Sequence, residues 1–184
     1  MVHHLKAALR KKMLEKREAL GNEGVAVMSR SIMGRLLSHE RFQEAKTVAF
    51  YIPKGKEVDT RPMIERALEM GKEVLVPVTN HKIQFYRFRS FEDLKAGKFG
   101  ILEPAKHDAP HNVPHLVVVP GVSFGLCMHR LGYGKGYYDD YLSRSPAYRI
   151  GICYDFQVVE KLPKHDKDER MDEIITDKRI ITMI

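Results

Sequence analysis

The first apolar positions of the chain recur at helical spacing. Leu5, Leu9, Met13 and Leu20 cluster on one side of a 3.6-residue helix, and Lys6, Arg10 and Arg17 fall at the edge of that stripe. Packing the leucine stripe on the core would leave Lys6 and Arg10, four residues apart, able to reach one anion together. After Gly21, Asn22 and Gly24, the positions Val25, Met28, Ile32 and Leu36 predict a second helix that runs to His39.

The pattern then changes to short apolar runs. TVAFYIP (47–53) reads as a buried strand, followed by the loop KGKEVD and a helix over 60–70, which Asp59 or Thr60 can cap and which carries Pro62 in its first turn. EVLVPV (73–78), the turn TNHK and IQFYRF (83–88) give two more strands, and LVVVP (116–120) a further buried one. A glycine-rich loop, a helix over 136–144, the strand YRIGICY (148–154) and EIITD (173–177) complete the series. Strands alternating with helices at this spacing imply an α/β layer fold with a largely parallel sheet. No internal repeat or low-complexity linker divides it, so residues 1–184 are read as one domain. HDAPHNVPH (107–115), with two prolines and three histidines, is read as a loop leading into a strand rather than as a metal site.

Composition agrees with that reading. The chain is 43% apolar and 30% charged, which is too apolar for general disorder. The stretch Leu116–Met128 lacks charged and histidine side chains but is interrupted by Pro120, Gly121 and Gly125. It is too short for a bilayer, which needs about 20 consecutive apolar residues. The N-terminal segment carries charges every few positions, unlike a secretory signal, and Cys127 and Cys153 suggest neither a disulfide scaffold nor a cysteine metal cluster. A cytoplasmic protein without a membrane partner is expected. Net charge is +7, and residues 1–17 hold Lys6, Arg10, Lys11, Lys12, Lys16 and Arg17 against Glu15 alone. Such a helix could be a solvated face, part of a nucleic-acid surface, or a source of two or three cations for a small anion.

Chemistry concentrates in VVVPGVSFGLCMHRLGYGKGYYDDYL (117–142). Gly132, Gly134 and Gly136 alternate with Tyr133 and Lys135, after a strand and before a helix. Backbone that bends around phosphate needs amides free of crowding Cβ atoms, a cation and a helix N-terminus, and all three are in the pattern. Lys135 is followed by Gly136, so the loop is not of the Walker type, and the glycine spacing does not match the dinucleotide fingerprint. A structural glycine turn remains the other reading.

The sequence resembles the 5-formyltetrahydrofolate cyclo-ligase (methenyltetrahydrofolate synthetase) family. The resemblance runs through KAALRK at Lys6–Lys11, EVDTRP at Glu57–Pro62, GILEP at Gly100–Pro104, the signature PGxxFxxxxxRLGxGxGYYDxxL at Pro120–Leu142, and MDxIxT at Met171–Thr176. It implies an enzyme that uses ATP and Mg2+ to convert 5-formyltetrahydrofolate, with or without a polyglutamate tail, to 5,10-methenyltetrahydrofolate, ADP and phosphate. It also implies a three-layer α/β sandwich akin to ribose-phosphate isomerases and coenzyme A transferases.

By the same resemblance Lys6, Arg10 and Lys135 serve catalysis by neutralising ATP. Arg130, Leu131, Gly132, Tyr133, Gly134, Lys135, Gly136, Tyr137 and Tyr138 form the nucleotide loop with Lys6 and Arg10. Ile52, Glu57 and Tyr138 lie on the folate side, and Asp139 and Asp172 near magnesium. Tyr141 is expected to bury its ring. Two positions depart from the family's pattern: Gly125 stands where it more often has aspartate, and Met128 where it has glycine. The family's HD pair aligns with Lys167 and Asp168, although His165-Asp166 lies just upstream. A basic nucleic-acid-binding module is the alternative from another class, without a recognisable motif to support it. A sugar-phosphate isomerase, acting without ATP, is another. A monomer is expected, with a homodimer the other state considered.

Overall fold

Val48 and Ala49 are consecutive, yet they belong to different apolar clusters, one on each face of a sheet. The computed structural model describes residues 1–111 and 113–183. Helices α1 (Val2–Glu18), α2 (Asn22–Leu37) and α3 (Glu40–Glu44) lead to β1 (Thr47–Ala49) and α4 (Arg61–Glu69). Two hairpins follow, β2 (Glu73–Thr79) with β3 (Ile83–Arg87) and β4 (Leu94–Ala96) with β5 (Leu102–Pro104). Then come β6 (Leu116–Val119), β7 (Ser123–Gly125), β8 (Arg130–Leu131), α5 (Tyr137–Ser143), β9 (Tyr148–Ile152), β10 (Val158–Val159), β11 (Glu173–Ile175) and β12 (Ile180–Thr182).

The main sheet has the order β12-β11-β9-β6-β1-β2-β3. Strands β11, β9, β6, β1 and β2 run parallel, and β12 and β3 are antiparallel edges. Leu116 and Val118 face a cluster completed by Ile32 and Leu36 of α2, Phe42 of α3, and Met63 and Ile64 of α4. Val117 and Val119 face the opposite cluster, with Phe124, Met128, Tyr141 and Leu142. Because both faces are covered, β6 is a continuous apolar run, and each such side chain stabilises the fold by about 1.5–3 kcal/mol. The mixed α/β architecture with a mostly parallel sheet agrees with the sequence reading.

The differences are local and have physical reasons. Strand β1 ends at Ala49 because the chain turns away through a self-bonded loop: Tyr51 hydroxyl donates to Val58 O (2.8 Å), and Thr60 hydroxyl donates to Tyr51 O (2.6 Å). Thr60 therefore does not cap α4; the Asp59 carboxylate accepts from Arg61 N instead (3.1 Å). On α1 the inward face is only partly the apolar stripe: Met13 is buried and Leu9 and Leu20 are half-buried, but the face is rotated toward the cations. Leu5 is 52% exposed, whereas Arg17 is 4% exposed beside Met13, and Lys6 and Arg10 are half-buried. The helix packs partly against polar loops, where a cation with partners is better placed than a leucine.

In 107–115 the described residues form no regular element, and Asn112 lies outside them. His115 Nδ1 accepts from Thr47 N (3.2 Å), a structural role, and among the described residues no group of three or more His, Cys, Asp or Glu could hold a metal. Gly125 pairs with Val159 inside a small sheet, β10-β7-β8, and a Cβ there would lie 2.8 Å from Leu162 Cβ and 2.9 Å from Cys127 Sγ. No aspartate fits that space. Met128, replacing the family's glycine, keeps the left-handed backbone that glycine favours (φ 71°) while burying its side chain completely.

Candidate active site

Strand β1 has β2 on one side and β6 on the other, so the chain direction of the sheet's construction switches between β1 and β6. Open α/β sheets take ligands in the crevice outside the carboxyl ends of strands at such a point. The segment leading to Glu57 leaves β1 there, and the segment leading to the glycine loop leaves β6.

The glycine loop is shaped by its backbone. Gly134 (φ 104°) and Gly136 (φ 72°) occupy conformations that side chains resist. Gly132 lies so close to Arg130 that a Cβ would stand 2.5 Å from its Nη2. Arg130 anchors the base of the loop: Nε donates to Pro120 O (2.9 Å), Nη1 lies 3.9 Å from Asp139 Oδ1, and the guanidinium sits 5.2 Å from the Tyr138 ring centroid. Burial pulls its pKa down, with Asp139 opposing. Arg10 reaches the loop from α1, with Nε donating to Gly132 O (2.8 Å) and the guanidinium packed against Gly134. Lys135 is exposed. Helix α5 has only seven residues, so any anion affinity here comes from loop amides and cations more than from a helix dipole.

Glu57 faces this loop as a buried carboxylate, 8% exposed, with Oε1 accepting from Lys54 N (2.8 Å). Burial raises its pKa, while Arg17, the Lys54 amide and Tyr133 oppose the rise. Arg17 Nη2 donates to the Tyr133 hydroxyl (2.6 Å), which in turn interacts with the Glu57 carboxylate. Ile52 is 2% exposed and forms core wall, Tyr138 is half-buried under Arg130, and Tyr141 is buried as expected. Burial pushes the Tyr138 hydroxyl well up, so it stays protonated.

Lys6 is not on the glycine loop. Its ammonium pairs with Asp168 Oδ2 (2.5 Å), which also accepts from His165 N (2.8 Å). Burial works to raise the Asp168 pKa, but these donors outweigh it and hold the carboxyl below its usual range. Asp139 Oδ1 accepts from Glu169 N (3.2 Å), and Asp172 Oδ2 from Arg149 N (2.8 Å). Asp172 lines a neighbouring cleft with Arg149, His165, Asp168 and Glu169. Asp139 and Asp172 thus do not make a metal cage. Their chemistry fits a magnesium ion carried by phosphate, since Mg2+ is commonly held by one or two carboxylates plus substrate oxygens.

The structure therefore gathers Arg10, the glycine loop, Tyr133 and Glu57, and adds Arg17, which sequence reasoning left without a role. Its signal was its place on the Lys6 and Arg10 side of α1. Because Arg10 and Arg17 turn toward loops at a strand switch point, the arrangement is that of an α/β enzyme with a small-ligand crevice. The chain belongs to the 5-formyltetrahydrofolate cyclo-ligase family, whose sequence profile matches residues 2–177. A probable 5-formyltetrahydrofolate cyclo-ligase of Schizosaccharomyces pombe is 32% identical over 176 residues, covering 84% of this chain and 86% of that one. The Escherichia coli 5-formyltetrahydrofolate cyclo-ligase is 29% identical, with 90% and 97% covered. Among solved structures, 5,10-methenyltetrahydrofolate synthetase of Aquifex aeolicus superposes with a TM-score of 0.87 at 39% identity, covering 97% of this chain and 92% of that one. The Mycoplasma pneumoniae 5,10-methenyltetrahydrofolate synthetase gives 0.74 at 29% identity, with 94% and 98% covered.

Proposed function

We propose that the protein uses ATP to close 5-formyltetrahydrofolate to 5,10-methenyltetrahydrofolate, releasing ADP and phosphate. The observation that carries this reading is the meeting of a buried carboxylate, Glu57, with a cation-backed glycine loop at one strand switch point. A formyl group on N5 is a poor electrophile because the nitrogen lone pair is delocalised into its carbonyl. Transfer of the γ-phosphoryl group to the formyl oxygen turns that oxygen into a leaving group. N10 then attacks the activated carbon, the ring closes and phosphate departs. This demands positioning and charge neutralisation more than a protein nucleophile.

Arg10 spends Nε on Gly132 O, which orients its terminal nitrogens for phosphate oxygens, and Lys135 adds a second cation from the loop. Lys6 would join by exchanging Asp168 for phosphate. Glu57 accepts hydrogen bonds from the amino and amide donors of the pterin ring, with Ile52 behind it and Tyr138 alongside. Asp139 and Asp172 would hold Mg2+ directly or through water, and the ion would supply charge neutralisation on the transferring phosphoryl group. Kinship of the fold with ribose-phosphate isomerases and coenzyme A transferases belongs to the same proposal.

Purified protein incubated with 5-formyltetrahydrofolate and MgATP should produce the methenyl absorbance band, and no band should appear when ATP is omitted. Full turnover without nucleotide would favour an isomerase-like reaction and overturn the reading.

A further inference from the structure

The family signature leaves the residue after Gly132 open, and here it is Tyr133. Its hydroxyl links an α1 cation to the Glu57 carboxylate: it accepts from Arg17 Nη2 (2.6 Å) and interacts with Glu57. The Arg17 guanidinium also lies 5.8 Å from the Tyr133 ring centroid. Although Arg17 is 4% exposed, its Nε has no hydrogen-bond partner, so the side chain is held by Tyr133 and by attraction to Glu57 rather than by a saturated network. Tyr133 itself is 51% exposed and sits between Gly132 and Gly134, at the crown of the loop.

We infer that Arg17 is a positioning residue which, through Tyr133, ties the glycine loop to Glu57 and so couples the nucleotide subsite to the folate subsite. The inference rests on the proposed assignment of those two subsites. With the strut in place, a folate ring seated on Glu57 fixes Tyr133 and hence the loop backbone on either side of it. Nucleotide then meets a loop that is already ordered, and by linkage each ligand tightens the other's binding equally. Arg17 has a second effect, on charge. Facing Glu57 are Arg17 from α1, Tyr133 from the loop and Lys54 from its own segment, with Tyr51, Tyr138 and Tyr154 around them. Burial favours the protonated carboxyl, and Arg17 is the first of the groups that oppose it.

The test combines calorimetry with a pH profile. In wild-type protein, 5-formyltetrahydrofolate should tighten binding of a non-hydrolysable MgATP analogue by about fivefold or more, and Tyr133→Phe should bring that ratio close to one. Arg17→Met should shift the acid limb of kcat/KM for folate upward by roughly one pH unit, and Arg17→Lys should return most of the shift. A merely structural arginine would not move that limb. Coupling that survives in Tyr133→Phe, together with an unmoved limb in Arg17→Met, overturns the inference. Should Arg17→Met fail to fold, Tyr133→Phe decides alone, because its ring is half-exposed. Wild-type protein that makes no methenyl product removes the proposed reaction, while the calorimetric arm still judges the strut; wild-type protein that binds neither ligand removes both.

Discussion

Restoring the aspartate that the family more often carries at position 125 should damage this protein. Gly125 ends β7 between β10 and β8, and a Cβ there would stand 2.8 Å from Leu162 Cβ and 2.9 Å from Cys127 Sγ. The sulfur can rotate away. The Leu162 Cβ moves only with its backbone, and Leu162 is 7% exposed, so the neighbouring chain must yield. Gly125→Ala should therefore cost about 1–3 kcal/mol, the usual range for overpacking. Gly125→Asp adds a buried carboxyl without a prepared partner, about 1–3 kcal/mol more or higher if charged, for a total near 2–6 kcal/mol. At roughly 2–4 °C per kcal/mol for a chain of this size, the aspartate variant should melt about 4–24 °C below wild type. Thermal and urea melts followed by circular dichroism should give the order wild type, alanine, aspartate. An aspartate variant as stable as wild type would refute the argument that Leu162 fills the space.

Arg10→Ala should raise the apparent KM for ATP more than that for folate, and Lys135→Ala should do so in the same direction; in steady-state kinetics with each substrate varied, an unchanged ATP dependence would remove both from the nucleotide site. Their effects should be non-additive if both grip one nucleotide. Glu57→Gln presents an amide NH2 where the carboxylate has an acceptor, so a charge-assisted bond of roughly 1.5–3 kcal/mol is largely lost and folate affinity should fall by about one to two powers of ten. Calorimetry that finds equal losses for folate and MgATP would indicate disruption of the loop instead. The Asp168 carboxyl, burial notwithstanding, is held below its ordinary range by Lys6 and the His165 amide. Its contribution to stability is therefore present above the unfolded pKa of about 3.9 and is lost as pH falls through the lower folded value. Urea melts below about pH 4 should lose less stability in Asp168→Asn than in wild type, and parallel pH dependences would remove the pair from the account.

The parallel sheet was legible because β6 is buried on both faces and Leu116–Val119 is a continuous apolar run, a signal that survives without knowing its neighbours. Strands of two or three residues, such as β8 and β10, were not, because so short a ladder has no period to detect. The inward face of α1 was read correctly at Leu9, Met13 and Leu20 but not at Leu5 and Arg17, for a different reason. Periodicity weighs leucine above arginine, but the surface meeting Arg10 and Arg17 is Gly132 O and the Tyr133 hydroxyl, each more than a hundred residues away in sequence. Sequence spacing placed Lys6 beside Arg10, four residues apart, yet their partners differ: one meets Asp168 and the other the glycine loop. Gly125 and Met128 were visible as departures from a pattern. Only the packing of Leu162 and the positive φ of Met128 give them physical meaning.

The central claim is that the formyl oxygen is phosphorylated and leaves as part of the released phosphate. It is tested most directly by supplying 5-formyltetrahydrofolate with a heavy-oxygen label in its formyl group, together with MgATP, and analysing the released phosphate by mass spectrometry. Phosphoryl transfer to that oxygen, followed by its departure, predicts one labelled oxygen in each phosphate formed with the methenyl product. Methenyl product accompanied by unlabelled phosphate, with the heavy oxygen in water, would contradict it.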